Sequence, residues 1–155
     1  MSETARLADQ IRRAFEGEAW HGDPVLEIIE SVNAKQAAAR PIKNAHTIWE
    51  LVLHIAAWDG AVRRRTAGHA VNLSDEENFP LVKDTGAAAW TKAVEYLRET
   101  HNDLVQAVAG FPDSRLQEQV PGKKEPYYNF FYMFSGIVQH ELYHAGQIAL
   151  LKKVA

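Results

Sequence analysis

Residues 129–153, NFFYMFSGIVQHELYHAGQIALLKK, decide the fold class. Met133, Ile137, His140, His144, Gln147 and Leu151 recur at alternating steps of four and three. That spacing marks one face of an α-helix and is foreign to a strand. Lys152 and Lys153 suit the negative end of its dipole. The segment is too long for a strand, so the chain is read as helical from this end backwards.

The same rhythm occurs three more times. Thr47-Ile48-Trp49-Glu50 fits the S/T-x-x-E capping box and starts a helix that runs to about Arg65, with Leu51, His54, Trp58 and Ala61 on its inward stripe and Gly68 closing it. A third helix, about Ala87 to Ala109, carries Val94, Leu97, His101, Leu104 and Val108, and Gly110-Phe111-Pro112 ends it. The first segment, about Glu3 to Glu18, places Leu7, Ile11 and Ala14 together. It breaks around Trp20-His21-Gly22-Asp23-Pro24 and resumes through Val25, Leu26, Ile29 and Val32, with Asp23 and Pro24 as cap and first turn. No strand pattern or repeat is present. The expectation is an all-α fold, a four-helix bundle with long inter-helix loops, over residues 1–155 as one domain. The stretch from His69 to Gly86 reads as loop. Both connections flanking the third helix are long enough to cross the bundle lengthwise, so up-down-up-down order is not implied.

The bulk numbers exclude several functions. With 46% hydrophobic and 24% charged residues the composition is that of an ordinary globular protein. A formal charge of −3 offers no basic face for nucleic acid. No apolar run approaches the ~20 residues of a membrane span. The N-terminal residues lack the basic region and apolar core of a signal peptide, so a cytoplasmic protein is expected. Cysteine is absent, which removes disulfides, thiolate ligands and a cysteine nucleophile.

Seven histidines remain to be explained. His140-Glu141-Leu142-Tyr143-His144 matches H-E-x-x-H, the zinc-protease signature. Two histidines four apart lie one turn apart and can chelate one ion. The protease reading fails downstream: only eleven residues follow His144, and none is His, Asp or Glu. A third ligand must come from upstream, and His54 is the best placed. A lone inward histidine is better explained by a core carbonyl or carboxylate partner, but three together, two of them one turn apart, favour metal. Glu141 points about 100° away from His140 and so faces out or pairs with another helix. Candidate residues beside the ion or in its pocket are Glu50, one turn before His54 but already used as a cap, His21 at the break, His101 on an apolar stripe, and Tyr143. His46 and His69 read as solvated. The aromatic run Tyr127–Phe134 reads as packing or a dimer contact, with a pocket wall as its lesser role.

Residues 48–58, IWELVLHIAAW, together with His140–Ile148, resemble the DinB/YfiT-like superfamily, and Ala19-Trp20-His21-Gly22 and Ala38–Pro41 are similar to its DinB-like branch. The resemblance covers essentially the whole chain. It implies a four-helix bundle with one divalent metal, often nickel or zinc, on three histidines that match His54, His140 and His144. It also implies a homodimer and, as in some relatives, use of a diffusible low-molecular-weight thiol. The family name concerns gene induction and does not imply DNA binding.

Three imidazoles leave coordination positions open, as in catalytic sites. Two reactions on a small-molecule substrate follow. An ion of this kind activates water for hydrolysis or stabilises a thiolate for S-transfer. The resemblance favours transfer. A third reading is a non-catalytic helical-bundle stress or binding protein. Three imidazoles accept several metals, so the sequence leaves metal and substrate open.

Overall fold

The computed structural model describes all 155 residues and is all-α. Four helices are long: α1 (Glu3–Glu16), α4 (Ile48–Thr66), α6 (Ala87–Ala109) and α7 (Phe130–Lys152). Three are short: α2 (Val25–Glu30), α3 (Ala34–Ala38) and α5 (Asp75–Asn78). Sequence periodicity finds the long helices to within two residues, and α2 appears as the resumption after the break. Both α3 and α5 escape it because five and four residues are too few to show a period.

Local chemistry sets the boundaries. Capping boxes start α3 (Asn33 with Gln36), α4 (Thr47 with Glu50) and α5 (Ser74 with Glu77), satisfying backbone N–H groups that have no partner in the first turn. Asn129 caps α7 by accepting from Tyr132 N at 2.8 Å. At α2 the expected Asp23 cap is displaced by one residue: Pro24 stands at the cap position, with no side-chain bond to the helix. The break before it turns through Glu18 at φ 61° and Gly22 at φ 131°, backbone settings a continuous helix forbids.

Contacts between long helices settle the chain order. Trp49 meets Trp90 at 5.1 Å, Asp59 meets His101 at 3.3 Å and Arg63 meets Asp103 at 4.0 Å, so α4 and α6 run parallel. Tyr128 bonds Arg65 while His140 lies 3.0 Å from His54, so α7 runs antiparallel to α4. Asp113 receives Thr4, and Phe15 stacks on His101, so α1 runs antiparallel to α6. α1 touches α6 and α7, and α4 touches the same two, which places α1 diagonally across from α4. A parallel pair needs a lengthwise crossover, which residues 67–86 supply. Buried Arg65 pins that crossover by donating from Nε and Nη2 to the Val71 carbonyl at 3.0 and 2.7 Å.

The apolar interior forms two clusters. One gathers α2, α3 and the neighbouring ends of α4, α6 and α7 around Ile29, Trp49, Ile55, Leu97 and Ile148. The other gathers the start of α1, the end of α6 and the start of α7 around Leu7, Val62, Leu104, Phe130 and Phe134. Within 130–134 of the aromatic run, Phe130, Met133 and Phe134 pack inward while Phe131 and Tyr132 remain exposed. No helix of the chain is long and apolar enough to cross a membrane.

Candidate metal centre

The inward stripes of α4 and α7 face each other, and their histidines meet. His140 Nε2 lies 3.0 Å from His54 Nε2 and 3.1 Å from His144 Nε2. Bonds of about 2.0–2.1 Å to one ion hold neighbouring ligand atoms about 3.0–3.5 Å apart, so this spacing fits a shared cation. His54 and His144 are buried and His140 half-buried.

The outer ring nitrogens explain how the rings are aimed. His54 Nδ1 donates to the Asn78 carbonyl at 2.8 Å, which leaves Nε2 as a bare lone pair facing the other two rings. His144 Nδ1 pairs with Gln147 Oε1 at 2.6 Å to the same effect. His140 Nδ1 has no partner. Burial lowers the basicity of all three. His140 falls to about 3, through burial and then the neighbouring His144 and His54; His54 and His144 shift in the same direction. Neutral imidazole is the form that binds a metal.

The crossover covers the site. Phe79 stacks on His54 at 4.2 Å, and His46 stacks on Phe79 at 3.8 Å. Asn78 acts twice: its carbonyl holds His54, and its side chain accepts from the Trp58 indole at 2.8 Å. A sequence reading that treats 69–86 as loop misses both residues. The available signal was Ser74-Asp75-Glu76-Glu77, an S-x-x-E capping box inside that loop.

The other candidates lie at different distances from the three rings. Glu50 closes the α4 capping box, accepting from Thr47 N at 2.8 Å, and pairs with Arg40 at 2.6 Å. It is spent there. Tyr143 stands beside His144, ring centres 5.1 Å apart, and is 66% exposed. His21 is exposed and lines a groove with Arg13, Ala14, Val138 and Leu142. His101 is fully buried beside Asp59 and Glu141, a separate group. Glu141 therefore pairs with another helix and does not face out. His69 is exposed, while exposed His46 is engaged by Phe79.

An all-α chain whose long helices bring three neutral imidazoles together has the form of a helical protein with a candidate metal centre. The chain belongs to the DinB superfamily, whose family profile matches residues 19–148. No curated protein and no solved structure gives a significant match.

Proposed function

We propose that this chain is a metal-dependent enzyme that holds one divalent ion, zinc or nickel, on His54, His140 and His144. The observation that carries the reading is the convergence of three Nε2 atoms at 3.0 and 3.1 Å, two of them oriented from behind by Asn78 and Gln147. A neutral His140 has a single N–H, which can bridge its Nε2 to one of the two neighbouring nitrogens and leaves the other close pair of lone pairs unbridged, whereas one cation serves all three. We read α1, α4, α6 and α7 as the four helices of a bundle, with α2, α3 and α5 as additions.

The reaction we propose is transfer of a low-molecular-weight thiol to an electrophilic small molecule. When bound, the ion supplies a Lewis acid that favours thiolate over thiol. The sulfur forms a bond to the electrophilic carbon, the leaving group departs with its electron pair, and the thiol proton passes to solvent. The chain has no cysteine, so the thiol must diffuse in. Phe79 and Trp58 shield the rings from water on one side, and Tyr143 stands at the rim. A groove of about 350 Å³ lined by Ile42, His46, Leu51, Gln147, Leu150 and Leu151 runs beside the partner of His144 and suits a small apolar substrate.

We also propose a cytoplasmic homodimer that does not bind nucleic acid. Tyr132, Tyr143 and Leu150 form an exposed stripe on α7 with Gly136 and Gly146 between them, which supports helix packing against a second copy. Light scattering that gives a monomer mass would remove the dimer.

Metal analysis of protein purified without a nickel column tests the central reading. His54→Ala should lose one equivalent relative to the native chain. Less than about a tenth of an equivalent in the native chain would overturn it. With metal present, turnover of electrophiles that requires added thiol supports transfer. Ester or amide cleavage indifferent to thiol makes the protein a hydrolase.

A further inference from the structure

The two apolar clusters are separated by a polar layer. On α4 it falls between Ala56 and Val62, on α6 between Leu97 and Leu104, and on α7 between Ile137 and Ala145. Asp59, His101 and Glu141 occupy that layer, and each is 0% exposed. Phe15 of α1 stacks on the His101 ring at 3.8 Å, so all four long helices enclose the group. The three-imidazole centre makes no use of it.

Hydrogen bonding does not account for these residues. Asp59 Oδ1, His101 Nε2 and both Glu141 oxygens have no hydrogen-bond partner. Such buried groups are costly unless something compensates them. An imidazolium serving two carboxylates would place one on each ring nitrogen. Here both approach the same atom: Asp59 Oδ2 lies 3.3 Å and Glu141 Oε1 3.1 Å from His101 Nδ1, and Nε2 is left alone. The Glu141 contact is not aligned as a hydrogen bond, and the Asp59 contact is longer than the ~2.7–2.9 Å of a charge-assisted one. One hydrogen cannot point at both oxygens. One cation can contact all three atoms, which lie within 4.8 Å of one another.

We propose that Asp59, His101 and Glu141 form a second, buried divalent-cation site, with Oδ2, Nδ1 and Oε1 as ligand atoms. Two carboxylates and a neutral imidazole carry two negative charges, which one divalent ion cancels, leaving a neutral unit in the interior. Two oxygens and one nitrogen make this a harder donor set than three imidazoles, so it takes manganese or iron(II) as well as zinc. With all three side chains fully buried, the ion enters during folding and leaves only when the chain opens.

The test unfolds the full chain in guanidinium chloride with EDTA and refolds it with excess Zn²⁺ or Mn²⁺. After desalting, bound ions are counted by elemental analysis and native mass spectrometry. The native chain should retain two ions. His54→Ala should retain one, which stays bound in EDTA while the fold is intact, and His54→Ala with Glu141→Gln should retain none. Should the double variant fail to fold, the His54→Ala count decides alone. One ion in the native chain and none in folded His54→Ala with either metal overturns the buried site and leaves the three-imidazole centre standing. One ion in both removes the three-imidazole centre and leaves the buried site.

Discussion

His54, His140 and His144 and the buried Asp59–His101–Glu141 group are two polar assemblies that share neighbouring turns of α4 and α7, the second adding His101 from α6, with opposite designs. Consecutive residues His140 and Glu141 go to different assemblies, because one residue step turns about 100° around α7. In the first, Asn78 and Gln147 satisfy two of the outer nitrogens and leave Nε2 free. In the second, the outer atoms are unsatisfied and the carboxylates crowd one nitrogen. The first sits at the margin of the packed interior, under a crossover, while the second replaces a layer of the interior itself. The contrast teaches that burial and partner atoms, more than residue type, separate a group that exchanges ligands from one that is part of the fold.

The largest expected effect follows directly. His101→Ala leaves two carboxylates facing each other in a sealed layer, and removing one partner of a buried charged group costs about 3–5 kcal/mol. His54→Ala loses one hydrogen bond to a carbonyl and one ring stack, about 1–2 kcal/mol in total. Urea unfolding of both variants in chelator, beside the native chain, measures the difference. Equal losses would break the comparison.

Much of this was legible in the sequence, and the reasons differ by region. The long helices declare themselves because each repeats the three-and-four spacing over two turns or more, as in Leu7-Ile11-Ala14 and Val94-Leu97-His101-Leu104-Val108. His54 was identifiable as a partner of His140 and His144 because all three fall on inward stripes. The buried group was not. Asp59 follows Trp58 directly and lies off the Leu51–Ala61 stripe, and only the parallel packing of α4 with α6 brings it to His101. Such pairing depends on the crossover, which no local periodicity encodes. Asn78 was hidden for a related reason: α5 is one turn long, and its partner His54 is 24 residues earlier.

The two assemblies should also titrate in opposite directions in chain refolded without metal. Burial and like neighbours hold His140 down at about 3, so its contribution to stability is present above its ordinary 6.5 and is lost as pH falls from there toward 3. For His101, burial opposes charge, but Asp59 and Glu141 outweigh it and raise the ring to about 9. Its contribution is full below 6.5 and lost as pH rises through about 9. Burial pushes the Glu141 carboxyl up to about 8, with Asp59's charge helping against the pull of His101. Its contribution is full below its ordinary 4.5, is lost as pH rises through about 8, and partly offsets the acid-side loss. The urea midpoint in EDTA should therefore fall on both sides of about pH 6.5. Glu141→Gln should weaken the alkaline limb and steepen the acid one, and an ion in the buried layer should abolish the alkaline limb. An alkaline limb that Glu141→Gln leaves unchanged would break the assignment.

A smaller effect concerns affinity. Gln147 is half-buried and orients His144 from behind, so Gln147→Leu should keep the fold and weaken metal binding at the three imidazoles about 10–100-fold. Competition with a chromophoric zinc chelator reads this directly. The same substitution should leave an ion in the buried layer untouched, because Gln147 contacts none of Asp59, His101 or Glu141.

The smallest effect tests whether the crossover acts on the site or only covers it. Ser74 begins α5 by accepting from Glu77 N at 3.2 Å, while Glu77 Oε2 accepts from Ser74 N at 2.9 Å. Removing such a cap typically costs a helix about 1 kcal/mol. No residue of α5 is buried, so Ser74→Ala should scarcely move global unfolding, which is governed by the two apolar clusters. What it should loosen is the Asn78 carbonyl at the end of that single turn, and with it the aim of His54. A metal affinity lowered several-fold with an unchanged urea midpoint would place α5 in the machinery of the centre. An unchanged affinity would mean that Phe79 and Trp58 hold His54 without it, and the crossover would then serve the site only as a cover.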